Sequence, residues 1–347
     1  MSTEWNRILE RRTPVDLVWI VGMGRRYGLQ LWFTLLTIAM WLATDPRWAF
    51  GFDTRLAVGA AQSWLAGGDP WSFAITGGAN QYHFSGLPPT VVVYAALAPL
   101  GLAAGAVAGV AVSTVAAVLV LRRLNLPMWW LLFPPLNLGV WSANPDILML
   151  ALLLVGGGWL APIVKVYAVI PMAGELRWRQ LLGALAVTLV TVAIAPGLWL
   201  RWAAELPETT ERLALEAQGG WSITGPAVIV VVVALVLIAW LRDLRTAAWL
   251  AVPAAWPSSE LHYSTMAMPV MAPLLAVMLA VPRHLWPSFA VIAYAALLVW
   301  QSRTAPPRAP LRLRVAAGLR EAGLMWLLRL IEPLSPRRDP PAPGRTP

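Results

Sequence analysis

Apolar residues run in long blocks along this chain, over 28–44, 90–121, 128–141, 147–173, 181–200, 226–241, 247–257, 264–281 and 285–300, with short polar stretches between them. Several blocks reach the roughly 18 apolar residues of a bilayer-spanning helix. The pattern predicts an all-α polytopic membrane protein with roughly 8–10 transmembrane helices. Block 90–121 is too long for one upright helix at about 1.5 Å per residue; it is one strongly tilted span or two short ones meeting near 99–105. Pro134, Pro135, Gly156, Gly157, Gly158 and Pro162 interrupt the blocks from 128 to 173. Broken helices at membrane depth need protein or a water-filled cavity to receive the freed backbone groups. Segments 128–173 and 247–263 are therefore expected to line a cavity. No internal repeat is visible, which argues against a transporter built from inverted repeats.

Charge orients the blocks. Residues 1–27 form a basic leader (Arg7, Arg11, Arg12, Arg25, Arg26), placed in the cytoplasm by the positive-inside tendency. It lacks the apolar core and small-residue cleavage site of a signal peptide, so the first span reads as an uncleaved anchor. Residues 28–301 make the transmembrane domain. Residues 45–89 become the first extracytoplasmic loop, carrying short surface helices. Residues 201–225, with Glu205, Glu208, Glu211 and Glu216 against Arg201 and Arg212, become the second. The tail, 302–347, is rich in Pro and Arg, and 311–331 reads as an amphipathic interfacial helix. The simplest span count puts this tail outside, against the positive-inside tendency, and leaves the parity open.

Composition agrees. The chain is 59% hydrophobic and 12% charged, against roughly 25% charged for a soluble domain. Its net charge of +9 comes almost wholly from Arg at block ends, where it anchors helices. The partner this implies is the lipid bilayer and not nucleic acid. The absence of cysteine excludes disulfides, thiolate metal sites and thiol catalysis. Three scattered histidines give no metal site. All basic side chains but one are Arg; the single lysine, Lys165, lies among apolar residues.

Ionisable groups inside or at the edge of a membrane are costly to bury and mark function. The longest substantial polar run, 50–89, holds Asp53, Asp69 and His83 among aromatics. Asp53 precedes a short helix predicted over 55–66, whose Leu56, Ala60 and Trp64 would let it lie on the bilayer surface. Two readings stay open: Asp53 or Thr54 caps that helix, or Asp53 is a carboxylate at a cavity mouth that takes a proton from an attacking hydroxyl. Asp69, between Gly68 and Pro70, has turn chemistry. His83 reads as a solvated loop histidine. Asn144 and Asp146 open the block at 147, where Asp146 suits a helix start. Lys165 either snorkels to an interface or faces an internal cavity, paired with a carboxylate or phosphate. Glu260 and His262 are spaced i, i+2, as loop neighbours and not as partners on one helix face.

Taken in order, these residues resemble a pattern in the GT-C superfamily of membrane glycosyltransferases, closest to glycosyltransferase family 87, the polyprenol-phosphate-mannose-dependent α-mannosyltransferases. Phe52 and Asp53 are similar to that family's aromatic–Asp pair after the first span. Gly67, Gly68, Asp69, Pro70 and Trp71 resemble its helix-ending turn, Tyr82 its Tyr-rich strip, and Pro88 and Pro89 its next helix start. Ala143, Asn144, Pro145 and Asp146 look like its Gly-Gln-x-Asn point with two substitutions. Lys165 and Tyr167 resemble its Lys-x-Tyr motif. Pro257, Ser258, Glu260, His262 and Tyr263 resemble its late Ser-Pro and Trp-x-His-His/Tyr motif. The resemblance covers about 29–281. Gly86 and Leu87 depart from the family's strip, and the connection from Leu154 to Lys165 is unusually short.

The resemblance implies a GT-C-like fold in the plasma membrane, with its active site on the extracytoplasmic side. It implies transfer of a hexose, mannose by analogy, from a polyprenyl-phosphate donor to a glycan or glycolipid acceptor, with inversion. Asp53 would be the general base. Lys165, His262 and Arg55 would stabilise the leaving phosphate. Tyr82, Asn144, Asp146, Tyr167, Glu260 and Tyr263 would contribute to donor phosphate and sugar binding. No metal or cofactor is implied, the lipid-linked sugar being a substrate. Two other readings fit the same residues: a carrier or flippase of lipid-linked saccharides, and a non-catalytic relative acting as a scaffold, which the short 154–165 connection motivates.

Overall fold

The computed structural model describes residues 27–77, 80–216, 226–256, 260–283 and 285–302. The expected leader, and the tail with its helix over 311–331, lie outside these. The first helices are α1 (Tyr27–Ala43), α2 (Pro46–Ala49) and α3 (Phe52–Leu65). A hairpin, β1 (Ala74–Gly77) with β2 (Asn80–His83), leads to α4 (Pro88–Ala95) and α5 (Gly101–Arg123). Then come α6 (Pro134–Trp141), α7 (Pro145–Val155), α8 (Ala161–Val164), α9 (Val169–Gly174), α10 (Trp178–Ile194) and α11 (Pro196–Glu216). The chain continues through α12 (Pro226–Leu241), α13 (Leu244–Ala255), a 3₁₀ helix (Leu261–Val270), α14 (Pro273–Leu279) and α15 (Trp286–Ser302).

The apolar blocks are cut shorter than their hydrophobicity suggests. Prolines begin α2, α4, α6, α7 and α14, a position that needs no amide hydrogen. One stretch among the described residues, Ala98–Arg123, is long and apolar enough to cross a membrane alone. The pairs α6–α7 and α10–α11 pass jointly but bend by 110° and 105°, giving up to three spans; α1, most of α12, and α15 are shorter apolar helices. The 8–10 spans counted from the blocks are thus not all matched by helices of spanning length. Of the two arrangements open for 90–121, two helices form, α4 and α5, and α5 begins at Gly101 (φ 75°).

Two expectations are corrected. The fold is not wholly α: β1 and β2 pair antiparallel, Ala74 opposite His83 and Ile75 opposite Tyr82, so His83 is a half-buried strand residue and not a solvated loop. The expected loop over 201–225 is helical through Glu216, and 217–225 lie outside the described residues. Helix α3 is packed into the fold. Its residues from Leu56 to Ala61 are buried because α3 packs against both α4 and α5.

Two apolar cores result. The larger gathers α1, α5 to α7, α9 and α12 to α15 around Trp249, Leu150 and Met172. The smaller lies under the first loop and joins Leu56, Ala60, Trp71, Phe84, Val91 and, from α11, Leu198. Trp71 is fully buried there and donates its indole N–H to the Gly86 carbonyl at 2.9 Å. Glycine permits the close approach of α3 to α5. A Cβ at Gly109 would collide with Thr54, and one at Gly51 (φ 58°) with Ala106.

A polar clasp closes the far end of the larger core. Glu175 accepts from Arg245 Nε and Trp249 Nε1, both at 2.7 Å, and pairs with Arg177. Arg177 also donates to the Leu153 carbonyl at 2.6 Å. Burial alone would raise the Glu175 pKa, but the Trp249 and Arg245 donors and the Arg177 charge outweigh it and hold it below its ordinary 4.5.

Candidate functional site

The site is built on the turn between α6 and α7. The chain bends there through Ala143, whose φ of 55° is left-handed, an uncommon conformation for a residue with a Cβ. The turn presents its carbonyls to the start of α3. Trp141 O accepts from Gly51 N at 2.8 Å, and Ser142 O accepts from Asp53 N at 3.0 Å. Asp53 lies in the first turn of α3. The cap is Gly51, with no side-chain capping bond, so neither Asp53 nor Thr54 is the cap.

Asn144 caps α7. Its Oδ1 accepts from Asp146 N at 2.9 Å, which leaves the amide nitrogen facing His262 Nε2, also at 2.9 Å. The amide can only donate, so Nε2 accepts and the imidazole proton sits on Nδ1. Nδ1 points at Glu260 Oε2, 3.5 Å away. The two thus meet as chain neighbours, as expected, because the extended Glu260 leads directly into the 3₁₀ helix that carries His262.

Asp146 is fully buried. Its Oδ1 accepts the Tyr167 hydroxyl and lies 3.9 Å from Lys165 Nζ. Its Oδ2 faces His262 Nε2 at 3.5 Å and has no hydrogen-bond donor. Lys165 stands between α8 and a 3₁₀ turn in an extended conformation. Its Nζ is 5.7 Å from the centre of the Tyr263 ring, and its side chain keeps 26% exposure. Tyr167 packs on Tyr263 and Trp256, each at 5.1 Å, and Tyr263 on His262 at 4.9 Å. The Asp53 main chain is bonded to the same turn that carries Asn144 and Asp146. Segments 53, 144–146, 165–167 and 260–263 thus form one cluster, a cation among three carboxylates.

Beside it lies an apolar cavity of ≈ 230 Å³, lined by Thr54, Tyr94, Val112, Pro145, Leu148 and Val164 among others. It shares its walls with the cluster. Thr54 follows Asp53, Pro145 separates Asn144 from Asp146, and Val164 precedes Lys165. Segment 128–173 lines the cavity as expected, but 247–263 does not; α4 and α5 supply the remaining wall. The sequence singles out Thr54 only as a possible helix cap, and Tyr94 not at all. The signal for Tyr94 is a lone phenol in an otherwise aliphatic block.

Two predicted residues stand apart. Arg55 Nη2 donates to the Trp48 carbonyl, and its guanidinium lies 6.0 Å from the Phe52 ring. Tyr82 packs against Trp48 and Phe52, each at 5.3 Å. Asp69 has the expected turn role, accepting from Ser72 N at 2.9 Å. Among the described residues no three His, Asp or Glu side chains converge as metal ligands. No known protein family matches the chain, nor does any curated protein or solved structure.

Proposed function

We propose that this protein is a multi-pass plasma-membrane glycosyltransferase whose site faces the extracytoplasmic side. It moves a hexose, mannose by the resemblance, from a polyprenyl phosphate to a hydroxyl of a glycan or glycolipid. The observation that carries this reading is the seating of Asp53 by main-chain hydrogen bonds beside the Asn144–Asp146–Lys165–His262 cluster, with an apolar cavity against the same turn. An amphipathic substrate with an anionic junction needs that combination of an apolar wall and a cation at its edge.

In the proposed reaction the acceptor oxygen attacks the anomeric carbon. The bond from that carbon to the phosphate oxygen breaks, and its electron pair leaves with the polyprenyl phosphate. The hydroxyl proton passes to the Asp53 carboxylate. Lys165 offers its exposed side to the departing phosphate. His262, its proton placed on Nδ1 by Asn144, presents that edge to Glu260 beside the departing phosphate.

The decisive experiment replaces Asp53 with Asn. Donor binding in nanodiscs should persist while turnover falls by about 10²–10⁴-fold; transfer at the wild-type rate would overturn the assignment. Movement of lipid-linked sugar across acceptor-free vesicles, without transfer, would favour a carrier. Absence of donor-lipid binding would favour a scaffold.

A further inference from the structure

Helix α3 turns about 100° per residue, and that rotation sorts three consecutive side chains. Thr54 lines the apolar cavity. Phe52 faces away from it, into an aromatic group with Trp48 at 4.6 Å and Tyr82 at 5.3 Å. Asp53 lies between the two faces. Trp48, Phe52 and Tyr82 are each only half-buried. Trp48 and Tyr82 also touch each other, at 5.3 Å, so the three rings form one aromatic platform with tilted faces, Trp48 at 31° and Tyr82 at 82° to Phe52. The Trp48 indole N–H and Arg55 Nε are buried beneath it and have no acceptor from the chain. Such a surface offers aromatic faces that are half open to solvent.

We infer that Trp48, Phe52 and Tyr82 form the acceptor subsite, on which a pyranose ring stacks by its C–H face with a hydroxyl turned toward Asp53. The inference rests on the transferase reading for its role and adds the class and side of the second substrate. Donor lipid enters on the Thr54 side of Asp53, and acceptor sugar on the Phe52 side. A π face attracts the weakly positive C–H edge of a sugar, and a few such contacts distinguish a stacking site from an apolar patch. Arg55 steadies the platform by tying the Trp48 carbonyl to α3.

The test uses the full chain in nanodiscs and a panel of methyl pyranosides (α-manno, α-gluco and β-galacto), read by saturation-transfer NMR. Wild-type protein should transfer saturation to the protons of one ring face. Trp48→Ala and Tyr82→Ala should each weaken binding by about 3–10-fold, and Trp48→Phe should retain most of it. Tyr82 sits on the hairpin, so its variant remains informative if Trp48→Ala fails to fold. Binding of no pyranoside by wild-type protein, or binding undiminished in Tyr82→Ala, overturns the inference. Pyranoside binding that depends on Tyr82, without any sugar transfer, would keep the platform and overturn the transferase reading.

Discussion

Asn144 donates its side-chain amide to His262 Nε2 at 2.9 Å, across 118 residues of chain. Because the same Asn accepts from Asp146 N, its amide cannot flip without losing a capping bond. The imidazole is thereby locked with its proton on Nδ1. Replacing Asn144 by Asp removes the donor and presents an acceptor to Nε2, which drives the proton there. Turnover should fall by about 10–100-fold, the cost of a misplaced catalytic group. Histidine ¹⁵N NMR should show Nε2 changing from acceptor to donor. An unchanged spectrum with full turnover would remove Asn144 from the site.

Lys165 and Asp146 make a coupled pair at 3.9 Å. Lys165→Met strands a buried carboxylate and should cost up to about 3 kcal/mol of stability. Adding Asp146→Asn should restore much of that stability, since the uncompensated charge is gone. Donor-lipid affinity should stay low in both variants, because no ammonium remains for the phosphate. Thermal melting and donor binding, measured together on single and double variants, separate the two roles. Recovery of donor affinity in the double variant would show that Lys165 is structural.

Ala143 adopts a left-handed conformation inside the site. Ala143→Gly should be neutral or stabilising by up to about 1 kcal/mol, relief of the Cβ clash being partly offset by a freer unfolded chain. Ala143→Val should destabilise by about 2 kcal/mol or more, because a β-branched residue is poorly accommodated there. It should also lower turnover by moving the carbonyl that holds Asp53 N. Melting temperature and steady-state rate check both; Val tolerated as well as Gly would contradict the geometry.

Glu175 ties α9 to α13. Its folded pKa is held below its ordinary 4.5, so the folded state binds fewer protons than the unfolded one in that range. The stabilisation is complete above about pH 4.5 and is lost as pH falls through the depressed folded value. Glu175→Gln should lower stability at neutral pH by about 1–3 kcal/mol and flatten the acid limb of the stability curve. Denaturation between pH 3 and 7 is the measurement; an acid limb identical to wild type would discount the clasp.

Much of the site is legible in the sequence because charge inside apolar blocks is conspicuous. Asp146, Lys165 and His262 stand out as groups whose burial demands partners, and the structure brings them together. Thr54 and Tyr94 are not legible in this way. A hydroxyl carries no charge cost, whether between Asp53 and Arg55 as in Thr54 or in an aliphatic run as in Tyr94, and only the packing of α3 against α4 and α5 gives it a cavity to face. Hydrophobicity also overstates helix length. Inside a uniformly apolar block, nothing but proline marks where one helix ends and the next begins. The strand role of His83 was hidden for a related reason: the hairpin is four residues a side, too short for alternation to stand out.

The two bonds that seat Asp53 run from main chain to main chain. A carbonyl is the same group whatever side chain follows it, so the position of the base is inherited from the path of the polypeptide and not from its lettering. Substitution of the Ser142 side chain leaves the acceptor for Asp53 N where it is. Drift at that position is silent toward the base, whereas any change that reroutes the turn, at Ala143 or Gly51, displaces the carboxylate without touching it.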